Sequence, residues 1–231
     1  MPFDLTEAKE VALEISNDQG DEKGLANAFA HVCNYIYDNP DRFSWRASSH
    51  KPSVETVSGL KILATKYFQA YRRSDFPATP NTKPDDIVSI VLAEAFGYAE
   101  TDIHRIKREH QHAMSAENCV GALLERYIDS VLRPHDWYWC CGNFTKAVDF
   151  VSRDHNKKWV ALQIKNRDNS ENSSSSAIRG GTLIQKWFRS YSRSNETNWH
   201  SIPPLMQGYH LSEQGFRAYV RAYLNGKKPS H

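Results

Sequence analysis

The chain has 231 residues, 40% of them apolar, and a net charge of +2. That supplies one sizeable core and points to a single domain. It also excludes a membrane-spanning helix, because no apolar run is long enough to cross a bilayer before a Glu, Gln or Lys interrupts it.

In chain order the first half reads as helical. Leu5 to Ile15 carries helix formers and stops before Asn17-Asp18-Gln19-Gly20. Leu25 to Tyr37 follows, ended by Asn39-Pro40. Glu55 to Arg73 places Leu60, Leu63, Ala64, Tyr67, Phe68 and Tyr71 at helical intervals. The three prolines between Phe76 and Pro84 mark a loop. Asp85-Asp86 then opens a helix through Phe96, and Asp102 opens another through His112. Residues 1–113 are therefore read as a helical subdomain and 114–231 as the part that carries the chemistry. His104, His110 and His112 lack partners at metal-ligand spacing and read as surface residues.

Ser115 is expected to cap a further helix, with Glu117 in its first turn and Val120, Leu124, Tyr127, Ile128 and Val131 forming its apolar stripe up to Pro134. Trp137-Tyr138-Trp139 reads as a core strand. Two β-rich runs, 147–151 and 159–165, flank a polar stretch at 152–158 and predict a hairpin. From Lys165 to Arg179 almost nothing could enter a core. The segment after it, read as an aromatic helix, interleaves cations with Trp187, Phe188 and Tyr191. Trp199, His200 and Pro203-Pro204 suggest packing and a turn. Leu211 to Leu224 looks like a closing helix with Gly226 as its C-cap.

Charge is unevenly spread. Residues 1–150 carry 16 Lys and Arg against 22 Asp and Glu, whereas residues 151–231 carry 13 against 5. The basic part coincides with the polar stretch and the aromatic segment, which suits a phosphate-facing side. The four cysteines (33, 119, 140 and 141) show no C-x-x-C pair and read as reduced, buried thiols. The N-terminus is acidic and lacks a signal-peptide core, so the expected location is cytoplasmic.

The chemistry concentrates on the hairpin. Gln163 and Lys165 project to one side of their strand, and Asp149 sits on the neighbouring run. A carboxylate beside a Gln-x-Lys suggests a metal site with a cation next to it. The arrangement resembles the PD-(D/E)xK nuclease superfamily in the variant where glutamine replaces the second acid. The resemblance implies an α/β (α+β) core, a mixed sheet flanked by helices, to which the helical N-terminal region is added. It implies Asp149 and the Gln163 amide as Mg²⁺ ligands, the Ile164 carbonyl as a further one, and Lys165 as the group that assists the attacking water. Replacing an acid by glutamine calls for another carboxylate. Gly121-x-x-Leu124-Glu125 is similar to the helical segment that supplies it in several restriction enzymes. Glu125 is preferred because Glu117 already has a helix-start explanation, and Glu117, which lies nearer the centre of the apolar stripe, stays open as the competitor.

Val160-Ala-Leu-Gln-Ile-Lys-Asn-Arg-Asp-Asn-Ser-Glu-Asn-Ser-Ser-Ser-Ser-Ala-Ile-Arg179, with Lys186-Trp-Phe-Arg189 and Asn198-Trp199, resembles the core of SinI-type Type II restriction endonucleases. This implies a homodimer that cuts a short palindrome of the GG(A/T)CC kind in double-stranded DNA with Mg²⁺, paired genetically with a cognate DNA methyltransferase. Asn166, Arg167, Asn169, Ser170, Asn172 and Arg179 are the candidate DNA readers, since Asn and Arg suit adenine and guanine edges. Lys186 and Arg189 are candidate phosphate contacts. Two alternatives stay open: a structure-specific repair or recombination nuclease, and a non-catalytic DNA-binding domain with a decayed site.

Overall fold

The computed structural model describes residues 2–16, 21, 23–45, 51–75, 77, 83, 85–169, 184–194 and 196–226. Among them are six helices: α1 (Leu5–Ser16), α2 (Leu25–Asp38), α3 (Val57–Arg72), α4 (Asp86–Phe96), α5 (Glu100–Leu132) and α6 (Glu213–Asn225). Four strands form one sheet, β1 (Tyr138–Trp139), β2 (Phe150–Arg153), β3 (Trp159–Arg167) and β4 (Ile184–Ser190), in the order β1-β2-β3-β4. The first three are antiparallel and β4 runs parallel to β3, so the sheet is mixed as the resemblance implied.

Local chemistry fixes the helix starts. Thr56 accepts from the Gly59 N–H at 3.2 Å and begins α3. A Cβ at Gly59 would lie 1.9 Å from the Ser53 carbonyl oxygen, so only glycine fits there. Asp85 caps α4 through the Ile87 N–H, and Ser212 caps α6 through the Gly215 N–H at 3.1 Å. α4 ends on Gly97 in the left-handed region (φ 72°). Gly226 ends α6 with an ordinary right-handed φ of −72°, not as a left-handed cap.

Two expectations are corrected. The helices read as starting at Asp102 and Ser115 are one helix, α5, of 33 residues. His112-Ala-Met-Ser-Ala-Glu117 holds no glycine or proline, and one serine cannot stop a helix whose flanks favour it. Ser115 is thus mid-helix and Glu117 loses its helix-start explanation. The aromatic segment is the strand β4, not a helix. Its seven residues bury Ile184, Trp187 and Ser190 beside β3, and a short apolar run cannot be assigned by spacing alone.

One apolar cluster runs from Ala8 on α1 to Phe216 on α6 and takes in Phe29, Leu63, Leu124, Ile128, Phe144, Phe150 and Leu162. The N-terminal helices pack directly on the sheet: Tyr35 of α2 meets the Trp159 ring edge-on at 5.4 Å, and His31 lies 4.3 Å from Tyr138. Trp137, Tyr138 and Trp139 are all buried, and so are the four free cysteines. No helix among the described residues is long and apolar enough to cross a membrane.

Candidate active site

The end of β2 creates the site. β2 pairs with β3 as far as Phe150 opposite Leu162, while β3 continues to Arg167. Where β2 stops, the Asp149 carboxylate accepts the next free backbone donor of β3, the Ile164 N–H, at 2.6 Å. Main-chain bonds hold Asp149 there, its own N–H donating to Leu162 and its carbonyl accepting from Cys140, both at 2.8 Å. The loop before it is also pinned. Asn143 and Ala147 adopt positive φ of 59° and 56°, a conformation disfavoured for side-chain-bearing residues and common near functional sites. Lys146 N–H donates to the Arg42 carbonyl at 2.8 Å, which fastens the loop to the helical layer.

Asp149, Gln163, Lys165 and Glu125 line one cleft of about 480 Å³ between β3 and α5. Gln163 is only 2% exposed, which gives its amide a fixed position in the wall. Glu125 arrives from α5 and accepts the Trp139 indole N–H at 2.9 Å. Trp139, read from sequence as a core residue alone, therefore orients a site carboxylate. Behind it the Arg126 guanidinium lies 5.2 Å from the Trp139 ring, salt-bridged to Asp75 and donating to the Tyr71 and Arg73 carbonyls.

Electrostatics tie the groups together. Burial raises the Glu125 carboxyl well above the usual carboxylate range; the Asp149 charge raises it further, while Lys165 and the Trp139 bond oppose the rise. Burial raises Asp149 as well, countered by the Ile164 N–H and Lys165. Two carboxylates that resist ionising together are stabilised by a cation between them. The oxygens these residues would offer a metal are hard: two carboxylates, the Gln163 amide and the Ile164 carbonyl, which in an extended strand points the same way as the Ile164 N–H that Asp149 binds. Cys140 and Cys141 also line the cleft, but burial keeps their thiols protonated. Such a set suits Mg²⁺ and not a thiolate-seeking metal. Among the described residues no three His, Cys, Asp or Glu gather as a metal cluster.

A second cleft of about 430 Å³ continues from the first and shares Asn118, Gly121, Glu125 and Lys165 with it. Asn166, Arg167, Asn169, Ile164 and Glu117 line this extension. Glu117 thus stands beside the candidate readers and not beside Asp149. Ser170, Asn172 and Arg179 lie outside the described residues. Lys186, half-buried on β4, lines neither cleft. Arg189 is bound by both oxygens of Glu213 (3.0 and 2.8 Å) and donates to the Asn166 side chain at 2.9 Å, so it acts as a strut between β4 and α6. Sequence gave no sign of this partner, because Glu213 is 24 residues away.

The chain matches the SinI restriction endonuclease family over residues 8–226. It belongs to that family. The chain is 48% identical over 224 residues to the Type II restriction enzyme SinI of Salmonella infantis, covering 96% of each protein. It is 42% identical over 202 residues to the Type II restriction enzyme Eco47I of Escherichia coli, covering 87% of each. As a SinI-family chain it is a Type II restriction endonuclease, and DNA is its partner. Enzymes of this type work with a divalent metal ion.

Proposed function

We propose that this SinI-family enzyme hydrolyses both strands of a short palindrome of the GG(A/T)CC kind as a Mg²⁺-dependent homodimer, with a cognate methyltransferase protecting the same sequence. The observation that carries the reading is the convergence of Asp149, Glu125, Gln163 and Lys165 on one cleft from three separate elements. Asp149, Glu125 and the Gln163 and Ile164 oxygens would hold the metal. Mg²⁺ when bound supplies charge neutralisation at the phosphate and a more acidic water. Lys165 lies beside the scissile phosphate, orients the water and offsets negative charge as it builds on the phosphate oxygens. Water attacks phosphorus in line, the P–O3′ bond breaks, and the proton released by the water balances the alkoxide that leaves.

Asn166, Arg167 and Asn169 border the catalytic groups closely enough to read bases next to the cut. An Arg that grips guanine contributes roughly 1–3 kcal/mol of discrimination. Ser170, Asn172 and Arg179 extend this reading segment in sequence, and Lys186 remains a candidate phosphate contact. The chain acts as one nuclease unit, since a single apolar cluster spans its helical and catalytic parts.

Incubating the protein with plasmid DNA and Mg²⁺ and sequencing the ends tests the proposal. Discrete fragments that share one terminal sequence are expected. Asp149→Ala and Lys165→Ala should abolish cutting and retain specific DNA binding in a mobility-shift assay. Cutting by either variant at close to the parent rate overturns the assigned roles.

A further inference from the structure

Ten large apolar side chains stand exposed among the described residues, and six of them fall between positions 87 and 98: Ile87, Val88, Ile90, Val91, Phe96 and Tyr98. Ile87 is 63%, Ile90 57% and Phe96 68% exposed. No residue of α4 is buried. This 11-residue helix is shorter than the length at which an isolated helix holds in water. It is tied to α5 by polar bonds, Lys107 donating to the Asp85 carbonyl at 3.0 Å and the Ser89 hydroxyl at 2.8 Å. An apolar patch this concentrated marks an interface.

The charge around it decides against DNA as the occupant. From Asp85 to Met114 the helical hairpin formed by α4 and the start of α5 carries six carboxylates against three Lys or Arg, and Arg105 is already paired with Asp102 and Glu109. A duplex is repelled by such a surface. A second copy of the chain fits better on two grounds. The described residues contain one catalytic cleft, while cutting a duplex takes two hydrolyses, one on each strand. The patch is also large enough to anchor such a contact: α4 is about 16 Å long and a two-helix face about 20 Å wide, so two hairpins face to face cover about 640 Å² in projection, roughly half of what a stable interface buries.

We propose that two copies pair through their α4–α5 hairpins, and that α5, which carries Glu125 further along the same rod, sets the distance between the two clefts. The inference rests on the homodimer reading above and adds the surface that makes it. Ile87 and Ile90 lie three residues apart on one helix face. The double variant Ile87→Lys/Ile90→Lys, made in the full chain, removes the apolar face without touching the cleft.

Light scattering coupled to size exclusion should give the parent twice the mass of one chain. The double variant should give the mass of one chain with an unchanged circular dichroism spectrum, and on plasmid DNA it should accumulate nicked circles where the parent yields linear molecules. A folded double variant that keeps the doubled mass overturns the hairpin interface and leaves the dimer reading standing. A parent that shows the mass of one chain, alone and on a duplex containing its site, overturns the dimer itself and assigns the apolar face to another protein. If the double variant fails to fold, the single change Val91→Asp, one helical turn from Ile87 on the same face, reads the same surface. Its dimer dissociation constant should rise at least about tenfold, and an unchanged constant overturns the interface.

Discussion

Trp139 shows how one hydrogen bond from a mostly buried side chain can position a candidate metal ligand. Its indole N–H holds the Glu125 carboxylate at 2.9 Å, and its ring is clamped in turn by Arg126. Trp139→Phe keeps most of the packing and removes that one donor. A hydrogen bond to a charged group contributes about 1.5–3 kcal/mol, and supporting residues of metal ligands commonly affect metal affinity or activity about 10–100-fold. Trp139→Phe should therefore weaken Mg²⁺ activation about tenfold or more with little loss of folded structure, read as the Mg²⁺ concentration for half-maximal cutting beside a thermal melt. An unchanged Mg²⁺ requirement would assign Trp139 to the core alone. At this scale the sequence was informative where neighbours are local. Gln163 and Lys165 share a face because a strand alternates. Asp149 faces the same cleft because a hairpin brings two adjacent runs together. What could not be read was the set of long-range partners, Trp139 for Glu125 and Glu213 for Arg189, which depend on how helices dock on the sheet.

At the scale of elements α5 is the informative case: the sequence pattern divides it in two near Ser115, whereas the chain forms one helix, so Glu117 has no helix-start role. What separates the two is their place: Glu125 lines the cleft that Asp149, Gln163 and Lys165 share, and Glu117 lines only the adjoining one. Gly121 lies between Asn118 and Glu125 on the same helix, and a Cβ built on it would meet nothing within 4 Å. A glycine inside a helix costs about 0.5–1 kcal/mol relative to alanine, and no neighbour in the fold requires it. Gly121→Ala should raise the melting temperature slightly and lower cutting, since the added methyl narrows the floor of both clefts where a phosphodiester chain must lie. Raised stability with full activity would show that DNA passes elsewhere. β4 gives the opposite lesson about elements. Its seven residues satisfy both a helical and an extended reading, and parallel pairing with β3 decides between them.

For the whole molecule the site carboxylates couple stability to pH. Glu125 and Asp149 are both raised by burial, Glu125 further through the Asp149 charge. Without metal the folded chain holds these protons to higher pH than the unfolded chain. Above the ordinary carboxylate range it therefore binds more protons than the unfolded state, and stability falls as pH rises through the raised values. The melting temperature of metal-free protein should drop from acid toward neutral and mildly alkaline pH, less so in Glu125→Gln. Mg²⁺ should restore it, most strongly at the upper end, where binding no longer has to displace protons. An identical pH slope in the parent and Glu125→Gln would place the proton-linked destabilisation elsewhere.

The unbroken α5 also restricts how this chain can change in length. Each residue inserted between the hairpin and Glu125 advances the helix by 1.5 Å and turns it by about 100°, so one extra residue swings the carboxylate out of the cleft. Seven restore the phase to within about 20°. Insertions and deletions in this stretch are thus tolerable only in near-whole numbers of helical turns, such as about seven, eleven or eighteen residues, a periodic constraint that no loop of the same length would impose.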